Sequence, residues 1–249
     1  MKVAVIGNSH LAAFKLGWGL ISEEYPTIEA TFFGSPANTL HRLEVEDDRL
    51  TTRDQKLNKS LIWTSGGLDS IGPDYDRYVL VGMGFSFPHL MAILRHHRPV
   101  QYYRGGDEAL ISDACLDEAM EQTLSDSTAV RTIDKIRRIT DAPITYFPNP
   151  FQTTECQTKE DFWGLEDARD RMMTFYRAGI ARLLDPFCSV VEQPEHTLAS
   201  PFFTQPEFAR DAVKLKRGMK AMYEENDYAH MNDVFGAHAL RKVIGGLTP

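Results

Sequence analysis

The chain has 249 residues, a formal net charge of −8 and a sequence pI near 5.5. Hydrophobic residues make up 43% and charged residues 25%, the balance of an ordinary globular protein long enough for one sizeable core. The acidic balance argues against a nucleic-acid surface, and no apolar stretch approaches the length of a membrane span.

Lys2 is followed by only four apolar residues before Gly7-Asn8, shorter than the apolar core of a signal peptide. The expectation is a cytoplasmic protein with neither a nucleic-acid nor a membrane partner. Cys115, Cys156 and Cys188 lie far apart and form no CxxC pair, which points to free thiols in a reducing compartment. No metal-ligand spacing such as HExxH and no phosphate-cradling glycine motif occurs, so no metal or cofactor is expected.

Residues 2–7 read as a buried first strand, carried by the run Val3-Ala4-Val5-Ile6. Residues 10–24 read as a helix weakened by Gly17 and Gly19. Ile28 to Phe33 is a second strand ending in Gly34-Ser35-Pro36, and strand, helix, strand at this spacing starts a parallel sheet. Residues 37–75 read as an irregular insertion with a hairpin, a candidate lid or pocket wall.

Asp76 to Val81 is a third strand, followed by Gly82-Met83-Gly84-Phe85. Residues 107–139 hold one or two helices, and Ile144 to Phe147 is a fourth strand closed by Pro148-Asn149-Pro150. Residues 166–184 have the periodicity of an amphipathic helix, and Cys188 to Val191 is a short fifth strand. Ala209 to Glu224 reads as helical, and Val234 to Val243 as the closing helix. No internal repeat or domain boundary interrupts this, so residues 1–249 read as a single α/β domain.

Two segments carry the chemistry. Gly7-Asn8-Ser9-His10 puts a serine at the tip of the first strand, the edge of a parallel sheet where ligands bind. By itself Ser9 is equally explicable as the N-cap of the following helix, and Asn8 as a turn former. Asp227-Tyr228-Ala229-His230 places a carboxylate three residues before a histidine, ahead of the last helix. A serine hydroxyl needs an imidazole to take its proton, and the imidazole needs a carboxylate to fix its tautomer.

Gly7-Asn8-Ser9-His10 after a first strand, together with Asp227-x-x-His230-Met231-Asn232 and Gly236, resembles the SGNH (GDSL-like) hydrolase superfamily. The two motifs lie near the two ends of the chain, so the resemblance spans nearly all of it. It implies a three-layer α/β/α sandwich with a parallel sheet of about five strands. It implies Ser9 as nucleophile, His230 as general base and Asp227 as its partner. It also implies oxyanion donors from the Ser9 backbone, from the glycine after the second strand, here Gly34, and from an asparagine after the third.

That asparagine is missing: the corresponding residues are Gly82-Met83-Gly84. Backbone N–H groups near Gly84 or Phe85 are the expected substitutes, since glycine permits close backbone approach. Asn8, standing where the family commonly has Asp, and His10, beside the nucleophile, complete the oxyanion and substrate-binding candidates, with a helix N-terminal surface position expected for His10. The activity implied is hydrolysis of a small acyl ester on a carbohydrate or other metabolite. The missing donor keeps two alternatives open: a non-hydrolytic glycan-binding or accessory protein, and an acyltransferase using the same triad.

Overall fold

Five parallel strands form the centre of the computed structural model, which describes residues 1–214, 221–224 and 226–246. They are β1 (Lys2–Gly7), β2 (Glu29–Gly34), β3 (Arg77–Val81), β4 (Ile144–Phe147) and β5 (Ser189–Val190), in the spatial order β2-β1-β3-β4-β5. The chain winds from β1 to β2 on one side and then crosses to β3 on the other. The reversal lies at the C-terminal tip of β1, where a parallel sheet opens a crevice. Register keeps that edge flush, with Gly7 opposite Gly34 on one neighbour and Val81 on the other.

Both faces of the sheet are covered, which explains why the strands read as unbroken apolar runs. Val3, Val5, Val79 and Val81 pack under α1 (Leu11–Ile21) and the C-terminal helix, while Ala4, Ile6, Tyr78 and Leu80 face the larger core on the other side. That core is closed by α2 (Gln55–Ser65), α3 (Asp113–Ser125), α4 (Thr128–Arg137) and α5 (Glu166–Leu183). The C-terminal helix is α6 (Asp233–Gly245). The fold is therefore the expected three-layer α/β/α arrangement. No helix among the described residues is long and apolar enough to cross a membrane.

Helices α1 and α6 meet backbone to backbone. A Cβ on Gly17 would strike Gly236 and Ala237, and one on Gly236 would strike the Ala13 carbonyl. Gly17, which weakens α1 as an isolated helix, is thus required by the crossing. The contact matters for the site, because Ser9 lies two residues before α1 and His230 three residues before α6.

Two expectations are corrected. The segment 37–75 contains the anticipated hairpin (Glu44–Glu46 with Arg49–Thr51) but also a full helix, α2. Asp54 caps that helix by accepting the Lys56 and Leu57 amides, and Gly66 closes it in the left-handed conformation with φ of 82°. The stretch 209–224 is not a helix where it is described. Val213–Lys214 pairs antiparallel with Ala221–Met222, and residues 215–220 lie outside the described residues. Asp211 sits at φ of 58°, which no helix accommodates, and the Tyr223 amide bonds the Ala212 carbonyl instead of a helical partner.

Candidate active site

Ser9 lies in the turn between β1 and α1, held where the Leu11 amide bonds the Asn8 carbonyl and the Ala12 amide bonds the Ser9 carbonyl. Its hydroxyl does not cap the helix. Ser9 Oγ lies 2.9 Å from His230 Nε2, and His230 Nδ1 lies 2.9 Å from Asp227 Oδ2. The other carboxylate oxygen of Asp227 accepts the Ala229 and His230 amides, both at 2.9 Å. A local Asx-type turn therefore fixes the carboxylate before it meets the imidazole. Asp233 opens α6 two residues beyond Met231, and Asn232 caps that helix by accepting the Phe235 amide.

Burial pushes the Asp227 carboxyl up, but hydrogen bonding and charge from His230, with the two amides, outweigh it and hold it at about 2. Asp227 is thus ionised at neutral pH. It accepts the proton on His230 Nδ1 and leaves Nε2 as the lone-pair nitrogen facing Ser9.

The imidazole of His230 is held between two rings. Tyr223 stacks on it at 3.8 Å with an interplanar angle of 9°, and His10 at 5.0 Å and 21°. Burial, with Asp227 adding to it, pushes the Tyr223 phenol up to about 12 although its hydroxyl interacts with Ser9, so it stays protonated there. The sequence carried no sign of Tyr223, because it lies in a segment with helix-like composition.

His10 is not at the surface but buried, at 8% exposure. Asn149, at the end of β4, accepts the Gly84 amide on Oδ1 at 3.3 Å and so turns its Nδ2 to donate to His10 Nε2 at 2.8 Å. Burial, followed by the nearby charges of His230 and His89, lowers His10 well below the usual histidine range. It therefore remains a neutral ring beside His230.

A cavity of about 260 Å³ opens at Ser9, walled by Asn8, Gly34, Pro36 and, from α2, Ser60, Trp63 and Thr64. The insertion is therefore a pocket wall. A larger polar cavity of about 620 Å³ adjoins Asp227 and includes Gln152, Lys159, Asn226 and Tyr228. Tyr223 and Lys214 border both cavities. Among the described residues no group of three or more His, Cys, Asp or Glu side chains is placed to hold a metal ion.

The remaining expected donors are arranged differently. Gly34 lines the Ser9 cavity, but its amide donates to Thr64 Oγ1 at 2.8 Å. The Gly84 amide is turned to Asn149, and Phe85 is fully buried against Tyr146 and Tyr176. Gly82, Met83 and Gly84, all at positive φ, break the alternation of β3 and turn Phe85 into the core that also holds Tyr78 and Leu80.

No protein-family model matches this chain, and neither does any curated protein. Among solved structures it is similar to the periplasmic domain of a lipopolysaccharide acetyltransferase from Salmonella ser. Paratyphi A, at 10% identity and a TM-score of 0.48, over 100% of this chain and 84% of that one. It is also similar to a carbohydrate acetylesterase family member from Sinorhizobium meliloti, at 12% identity and a TM-score of 0.45, over 99% of this chain and 97% of that one.

Proposed function

We propose that this chain is an SGNH-like serine hydrolase that removes a small acyl group from an ester of a carbohydrate or other metabolite. The observation that carries the reading is the hydrogen-bonded line Ser9–His230–Asp227, with both links at 2.9 Å. Ser9 Oγ attacks the ester carbonyl while His230 Nε2 takes the hydroxyl proton. Asp227, ionised and anchored by two amides, stabilises the imidazolium that results. His230 then protonates the departing alkoxide. A water molecule repeats the sequence on the acyl-enzyme and restores Ser9.

The two cavities on either side of Tyr223 fit such a substrate. The acyl group enters the smaller one under Trp63, and the alcohol moiety occupies the larger polar one. That larger cavity also supports a second reading, transfer of the acyl group to an alcohol bound there in place of water. Product analysis with and without an added alcohol acceptor separates the two.

The reading is tested with Ser9→Ala on short-chain nitrophenyl esters. Hydrolysis should be abolished with the melting temperature unchanged, because Ser9 makes no capping bond that the fold needs. Turnover equal to the unaltered chain would sink the assignment.

A further inference from the structure

The donors anticipated for a developing oxyanion are largely occupied. The Gly34 amide is taken by the Thr64 hydroxyl, the Ser35 amide by the Gly7 carbonyl at 3.2 Å, and the Gly84 amide by Asn149. Thr64 is committed in turn, since its hydroxyl points back to the Ser60 and Leu61 carbonyls. The Ser9 amide has no hydrogen-bond partner among the described residues. One amide donor alone would leave the tetrahedral intermediate poorly stabilised.

Asn8 is only 7% exposed, and it lines the Ser9 cavity. Its Oδ1 accepts the His10 amide at 3.2 Å, which sets the orientation of the carboxamide. The opposite end, Nδ2, therefore carries the two donor hydrogens, and it has no hydrogen-bond partner among the described residues. The carboxamide lies over Gly82, where a Cβ would collide with Asn8 Oδ1. Gly82 itself adopts φ of 77°, so glycine is needed there twice over. The glycine-rich turn after β3 thus does not supply an asparagine but makes room for one from the turn after β1.

We propose that Asn8 Nδ2, together with the Ser9 backbone N–H, forms the oxyanion hole, taking the place of the absent asparagine after β3. This rests on the hydrolase reading above. In the step concerned, the carbonyl carbon bonds Ser9 Oγ, the carbonyl π electrons move onto its oxygen, and Asn8 and Ser9 donate to that oxygen while the proton resides on His230.

Asn8→Asp is the discriminating variant. It keeps the volume and the acceptor for the His10 amide but presents a carboxylate oxygen where the donor stood. Expected is a loss of about 10²–10³-fold in kcat, with KM changed little. A boronic acid that mimics the tetrahedral state should weaken in parallel, while thermal melting is unchanged. Asn8→Ala, which adds no charge, should show the same kcat loss if the aspartate variant folds poorly. An active unaltered chain with either variant folded and within threefold of its kcat would overturn the role of Asn8 alone. An unaltered chain that neither turns over esters nor reacts with a fluorophosphonate would overturn the hydrolase reading and this inference together.

Discussion

Replacing Asp227 by Asn isolates one link of the relay. The amide retains an oxygen for the Ala229 and His230 backbone donors, so the turn persists. What changes is the group facing His230 Nδ1 at 2.9 Å, which becomes an NH₂ donor. Nδ1 must then accept, which places the ring proton on Nε2, the nitrogen that faces Ser9 Oγ at 2.9 Å. The base arrives already protonated, and the imidazolium loses its counter-charge. In triads of this type the wrong tautomer costs about 10⁴-fold in kcat, on the order of 5 kcal/mol of barrier. Steady-state hydrolysis of a nitrophenyl ester at pH 7.5, with circular dichroism to confirm the fold, measures it. An Asp227→Asn chain within tenfold of the unaltered kcat would refute the tautomer argument and with it the assigned direction of proton transfer.

Acid should loosen the same region. The Asp227 carboxyl lies at about 2 against an ordinary 3.8, so the folded state holds its proton less tightly than the unfolded chain. The corresponding stabilisation, on the order of 2 kcal/mol, is present above about pH 4 and is lost as pH falls toward 2. Chemical denaturation of Asp227→Asn should accordingly show a flatter stability profile across that interval; an identical slope would contradict it. The helix crossing gives a paired test. Gly236→Ala forces α1 and α6 apart and should destabilise by about 2–4 kcal/mol, with loss of activity as Ser9 and His230 separate. Gly19→Ala, where an added Cβ meets nothing within 4 Å, should be neutral or stabilising by up to about 1 kcal/mol. Equal midpoints for the two variants in urea would remove the packing argument.

Much of this was legible in the residues. The first strand announces itself through Val3 to Ile6, and Ser9 and Asp227-x-x-His230 are close enough to element boundaries for their meeting to be anticipated. The parts that were not legible depend on partners distant in the chain. His10 looked like a helix-end surface residue, and only Asn149, 139 positions away, and the His230 ring make it a buried one. Gly34 looked like a free donor because nothing in its neighbourhood reveals that Thr64 will accept its amide.

Helix α2 was hidden by its polarity. Only Leu57, Leu61 and Thr64 face inward, although Asp54 and Gly66 marked both ends. The opposite error occurred at 209–224, where Ala, Met and Lys suggested helix and the left-handed Asp211 could not be foreseen. Gly17 was read only as a weakness in its helix, whereas it is a point at which another backbone must come close, as Gly82 is for the Asn8 side chain.

Reaction with a fluorophosphonate, followed by peptide mass mapping, shows whether Ser9 is a nucleophile activated by His230. A single phosphonylated peptide carrying the label on Ser9 is expected, with labelling lost in His230→Ala. Label on another residue, or labelling of Ser9 undiminished in His230→Ala, would contradict that role.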